Sequence, residues 1–216
     1  MKITNTMSIL LLVLMILSMV SAVHAGTFLF DNEGWIVNQG FNKDYKKGYK
    51  PSLKEAEHYK YNTGTLNRYI TGKDAIVNVD SKNKDDRDLW YFVSPPLEEK
   101  LVGKGPYAIT FSMASFMGDY KKMNANVKER AVILKSDTTE LWVSMPTDYD
   151  GTDQTFWIPL IGATIRKKEL DGRLSKVSDR EIQKVLANLR EIAILGDWTQ
   201  GIEMIGLDNV AIEEMN

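Results

Sequence analysis

Apolar and polar residues alternate along much of this chain. In YAITFSMAS, residues 107–115, Tyr107, Ile109, Phe111 and Met113 fall on one side and Ala108, Thr110, Ser112 and Ala114 on the other. A period of two is that of a β-strand with one buried and one wet face. Shorter segments of strand composition surround it. TFLFD (27–31) and GWIVN (34–38) come first, then NRYITG (67–72) and DAIVNVD (74–80). LWYFVSPP (89–96) ends on two prolines, which cannot continue a central ladder. RAVILK and ELWVSM flank SDTT, the pattern of a hairpin, and QTFWIPL (154–160) reads as another strand. EIAILG and LDNVAI close the series. The period changes once, in SDREIQKVLANLR, where Ile182, Val185, Leu186 and Leu189 make one face of a helix. Ser178 with Glu181 three residues on forms a capping box at its start. Residues 39–66 are polar and aperiodic and read as a long loop; 80–88 read as a charged turn, and 162–177 carry no clear period. Roughly ten strands and one late helix predict an all-β sandwich of two sheets.

The first 25 residues follow neither period. Lys2 is followed by an apolar run from Ile9 to Val20, broken only by Ser18, and then by Val23, Ala25 and Gly26. Charge, apolar core and small-residue cleavage site, in that order, predict a secretory signal over residues 1–25. A run of about a dozen residues is short of the roughly 20 that span a bilayer. An uncleaved anchor is the competing reading of the same stretch. Removal of the leader leaves 216 − 25 = 191 residues as the mature domain, 26–216. With Lys2 gone these carry 27 − 1 = 26 basic and 29 acidic residues, a charge of −3. No basic stripe points to nucleic acid. The chain has no cysteine, so disulfides, thiolate metal sites and a cysteine nucleophile are all excluded. A domain of this length buries about 70% of its unfolded surface and needs no staple.

Several strings, taken in order, resemble the laminin IV type A domain, also called the laminin B domain. They are FDNEGW, RYITGKD, DLWYFVSPP, YAITFSM, AVILKSDTTELWVSMP, TFWIPL, VSDREIQKVLANLREIAILGDW and LDNVAI. The run from Val185 to Gly196 followed by LDNV is the most specific part. The resemblance implies a jelly-roll sandwich similar to galactose-binding and carbohydrate-binding modules. It also implies a secreted, non-enzymatic role in matrix or cell-surface adhesion, with an extracellular protein or a glycan as partner. Two departures limit it: no cysteine-rich repeat flanks the domain, and no coiled-coil segment is present.

Candidate chemistry is sparse. In jelly-roll modules the first and last strands are neighbours, so Asp31 and Glu33 in the first strand region and Asp208 in the last, with Asp31 and Asp208 foremost, can together offer oxygens to a structural Ca²⁺, which takes six to eight. The plainer reading is that Asp208 and Asn209 cap backbone groups in an irregular closing strand. Trp142 alternates with Leu141 and Val143 and shares its side with Ser144, which makes it a candidate sugar-stacking platform, with Tyr149 joining from the next loop. The aspartates around Tyr149 are either turn formers or cation ligands. Trp35, Trp90, Trp157 and Trp198 read as packing residues. His58 is the only histidine after the leader and lies in a polar segment, far short of a triad or a zinc site. Pairs of acidic residues such as those in EAEH are expected by chance among 29 carboxylates and do not make a glycosidase. The Lys- and Tyr-rich stretch 43–60 reads as a solvated loop, with contact to an anionic glycan as the alternative.

Overall fold

A computed structural model describes residues 23–26, 33–39, 52–55, 68–73, 89–98, 101, 105–121, 127–199 and 202–215. The strands expected at 27–31 and 74–80, the charged turn at 80–88, Asp31, His58 and most of 39–66 lie outside them. The described residues form thirteen strands and one α-helix. In chain order the strands are β1 (Val23–Gly26), β2 (Ile36–Gln39), β3 (Ser52–Glu55), β4 (Arg68–Lys73), β5 (Trp90–Val93) and β6 (Tyr107–Met117). There follow β7 (Val132–Ser136), β8 (Glu140–Val143), β9 (Gln154–Pro159), β10 (Ile165–Lys168) and β11 (Leu174–Lys176). Helix α1 (Asp179–Leu186), β12 (Leu189–Leu195) and β13 (Met204–Glu214) complete the chain. One sheet runs β3-β4-β13-β6-β9, with β1 added beside β13; the other runs β11-β10-β8-β7-β12-β5-β2. Every pairing is antiparallel. This is the two-sheet all-β sandwich that the alternating pattern predicts.

The two sheets meet over large apolar side chains. A β-carbon at Gly72 of β4 would lie 2.4 Å from the Trp90 ring of the opposite sheet and 2.9 Å from Val37. Gly196 would collide with the same indole, at 1.9 Å. Trp90 therefore fills a slot that two glycines leave open, and either Gly→Ala change would force it out. The inward side of β6 carries Ile109, Phe111 and Met113, all fully buried, and Phe111 meets its cross-strand partner Phe156 at 5.3 Å between ring centres. Burial of each such side chain contributes about 1.5–3 kcal/mol.

Helix α1 starts where the capping box predicts: Ser178 Oγ accepts from the Glu181 N–H, and the Glu181 carboxylate accepts from the Ser178 N–H at 3.0 Å. It buries Ile182, Val185 and Leu186 against β7. Two expectations change. Residues 162–177 hold a hairpin, β10–β11, whose strands are rich in Lys, Arg and Ser and so carry little alternation. β3 falls inside the predicted loop.

Candidate functional site

Strand alternation gives each sheet an outer side, and each outer side carries one tryptophan. On the first sheet this is Trp157 of edge strand β9. Its neighbours Phe156 and Ile158 point into the core, and the indole between them is 53% exposed. Trp157 stands opposite Thr110 on β6, and the next pair along is Thr155 opposite Ser112, whose hydroxyls share a hydrogen bond of 2.9 Å. Beyond Ser112, across β6, lies Asp208 on β13. The face therefore runs from an open indole across hydroxyl groups to a carboxylate. Tyr69 of β4 stands beside it, donating its hydroxyl to Asp153 at 2.9 Å. Trp157 was expected in the core; its exposure corrects that. The signal was present in the sequence, because TFWIPL alternates in the same way as LWVSM and puts Trp157 with Thr155.

Asp208 and Asn209 make a break in the closing strand. β13 pairs with β6 at Asp208↔Ser112 and then at Ala211↔Thr110, so one residue is extra, and Asn209 takes the left-handed φ of 52°. Asparagine tolerates that conformation better than most residues, and a bulge supplies the place for it. The bulge lets Leu207 and Val210 both face the core. Asp208 is only 6% exposed. Its Oδ2 accepts from the Asn209 side-chain amide at 2.9 Å, while Oδ1 is buried with no hydrogen-bond partner among the described residues. Burial pushes this carboxyl up to about 7, opposed by a backbone hydrogen bond from Asn209 and reinforced by the charges of Glu33 and Asp153. An orphaned buried oxygen of this kind suits a hard cation. Asp31 lies outside the described residues, and among those described no group of three or more His, Asp or Glu side chains is placed to hold a metal ion. Asp208 thus offers one ligand, short of a complete shell.

Trp142, on the outer side of the second sheet, is 7% exposed. The guanidinium of Arg130 and the ammonium of Lys168 lie 5.5 and 5.0 Å from its ring centre, and its indole N–H donates to Glu140. Two long cationic side chains, with Glu140 pairing one of them, Lys168, thus cover the surface that the platform reading requires. Tyr149 is fully buried and packs edge-on against Tyr120, Phe156 and Trp198, so it does not reach solvent beside Trp142. The aspartates around it serve the turn. Asp150 accepts from the N–H and hydroxyl of Thr152, which hold its carboxyl below the usual range, and Gly151 takes φ 87°. Asp148 pairs with Lys128 at 3.4 Å. Trp35, Trp90 and Trp198 are core residues, as expected.

A second acidic feature went unseen in the sequence. Glu203 is fully buried, accepts from the Trp198 N–H at 2.7 Å and the Thr199 N–H at 3.2 Å, and hydrogen-bonds the buried carboxyl of Asp197. Burial first, and then the Asp197 charge, push Glu203 up to about 9. It ties Trp198 and Thr199 to the start of β13. Nothing in the spacing of Asp197 and Glu203 marks them as partners.

No family model matches this chain, and no curated protein matches it. Solved structures do. The L4b domain of human laminin alpha-2 superposes with a TM-score of 0.56 at 9% identity, over 84% of this chain and 91% of that one. The family 11 carbohydrate-binding module of the cellulosomal cellulase Lic26A-Cel5E of Clostridium thermocellum aligns with a TM-score of 0.49 at 16% identity, over 92% of this chain and 97% of that one. The same organism's family 11 module in complex with a β-1,3-1,4-mixed-linked tetrasaccharide aligns at 0.45 and 18%, over 88% and 95%. The likeness to the laminin domain is one of fold. No helix among the described residues is long and apolar enough to cross a membrane.

Proposed function

We propose that this protein is an exported, non-enzymatic binding module that holds a glycan against the outer face of its first sheet, with Trp157 as anchor. The observation that supports this reading is the 53% exposure of Trp157 on a strand whose flanking residues are core. An indole left open on a rigid strand offers a flat apolar surface to the C–H face of a pyranose ring. The hydroxyls of Thr155 and Thr110 stand beside the indole on the same side for sugar hydroxyls, with Ser112 and Asp208 nearly buried behind them. A few placed polar groups beside an apolar anchor are what a small-ligand surface needs for orientation. A structural Ca²⁺ at Asp208 would brace the same face from the closing strand, with Asp31 as its expected second ligand. The setting is the cell surface or extracellular matrix, as the laminin IV type A resemblance implies.

Retention on immobilised neutral polysaccharides and on matrix proteins, compared for wild type and Trp157→Ala, tests the reading. Loss of an aromatic anchor costs about 2 kcal/mol, roughly a 30-fold weakening. Sugar-dependent binding that Trp157→Ala weakens by this order is the expected result. Binding unchanged in Trp157→Ala, or binding only to matrix protein, would contradict the glycan assignment.

A further inference from the structure

The leader carries two equivalent cleavage signals three residues apart. Val20-Ser21-Ala22 and Val23-His24-Ala25 each put valine and alanine at the two positions that a signal peptidase requires to be small. Sequence does not choose between them. The fold does. β1 is Val23–Gly26, and it pairs antiparallel with β13 at Val23↔Ile212, His24↔Ala211 and Gly26↔Val210. On that side of β13, β4 covers Met204 to Leu207, and among the described residues it is β1 that pairs the stretch Val210–Ile212. Those three residues are buried: Val210 and Ile212 fully, Ala211 to 4% exposure.

A cut after Ala25 removes three of the four residues of β1. It leaves the backbone groups of a buried strand without partners on one side, and an unpaired buried N–H or C=O is disfavoured as strongly as a lost hydrogen bond. A cut after Ala22 leaves β1 whole, with Val23 as the new N-terminus. We propose that the processing site of this protein is the Ala22–Val23 bond, and that residues 23–25 belong to the folded domain rather than to the leader. Cleavage there is hydrolysis of one peptide bond: water adds, the Ala22 carboxylate departs with the leader, and the Val23 amine begins the domain. The inference rests on the export reading above and starts the domain at Val23, three residues before Gly26.

The full chain, expressed in a secreting host, is collected from the exported fraction and its N-terminus read by sequencing and intact mass. A chain beginning at Val23 is expected. A chain beginning at Gly26 overturns the inference and leaves export standing. A chain retaining Met1 in that fraction also overturns it, and a chain found only inside the cells overturns the export reading as well. A second measurement does not depend on the host's peptidase: domains begun at Val23 and at Gly26 are melted side by side. The shorter domain is expected to melt at least about 3 °C lower; equal melting overturns the role of β1.

Discussion

The outer faces of the two sheets pose the same question and answer it differently. Each carries a tryptophan between two core residues on a short strand, Trp142 on β8 and Trp157 on β9. One is 7% exposed and the other 53%. The difference lies in the neighbours. β8 sits inside its sheet, flanked by β7 and β10, and Lys168 from β10 and Arg130 just before β7 reach over the indole. Among the described strands β9 is at the sheet edge, so Trp157 has a cross-strand neighbour there on one side only, the short Thr110. The charges follow the same division. On the covered face Glu140 pairs with Lys168 at 3.5 Å and Glu191 with Lys135 at 2.9 Å. On the open face Asp208 faces Ser112 and has no cation partner among the described residues. Alternation assigns a side chain to a face; the length and charge of its cross-strand neighbours decide whether solvent reaches it.

The comparison breaks most visibly at Trp142. Replacement by alanine is expected to cost about 3 kcal/mol of stability, the cavity penalty of a buried indole, and to leave glycan affinity unchanged. Denaturant melts read the first and affinity electrophoresis the second. Trp157→Ala should reverse the pattern, with affinity down about 30-fold and stability within about 0.5 kcal/mol of wild type. A large stability loss there would show that Trp157 is packing after all.

Acidity sharpens the contrast next. The folded carboxyls of Asp208 and Glu203 sit at about 7 and about 9, above their ordinary values of 3.8 and 4.5. A raised carboxyl favours the folded state while protonated. Its contribution is full below the ordinary value and is lost as pH rises through the folded one. Stability should therefore fall between about pH 4 and pH 7 through Asp208, and on toward pH 9 through Glu203. Asp208→Asn is expected to flatten the lower part of this slope, by on the order of 1–2 kcal/mol, with Glu203→Gln flattening the upper part. Calcium bound at Asp208 would hold that carboxyl ionised and reverse its slope. A melting temperature indifferent to calcium and to chelator at neutral pH would discard the metal. The smallest effect is expected from uncovering Trp142. Arg130→Met with Lys168→Met should cost about 1 kcal/mol and make a second indole accessible to a soluble fluorescence quencher. Unchanged quenching would mean that other groups cover it.

Much of the fold was legible in the residues. β6, the β7–β8 hairpin, helix α1 with its Ser178–Glu181 cap and the irregular Asp208–Asn209 pair all follow local rules: period, capping and tolerance of a left-handed φ. The covering of Trp142 was not legible, because Arg130 and Lys168 lie 12 and 26 positions away and meet it only through strand pairing. β6 shows the same limit. Its outer Ala108, Ser112 and Ala114 read as a wet face yet are nearly buried, because short side chains sink beneath taller neighbours. Tyr69 and Phe116 close over Gly206 beside them. Trp157 was legible and missed, since the rule that placed Trp142 outward places Trp157 outward as well. The Asp197–Glu203 pair joins residues six positions apart by contacts that no local pattern describes.

The chain has five tryptophans, and five indole N–H resonances report on them separately. A titration of the labelled domain with soluble neutral oligosaccharides, read by those resonances, bears most directly on the proposed binding face. The Trp157 resonance should shift progressively while Trp142 and the core indoles Trp35, Trp90 and Trp198 stay in place. Shifts confined to Trp142, or no shift at Trp157 with any sugar tested, would contradict the assignment of the first sheet's outer face as the binding surface.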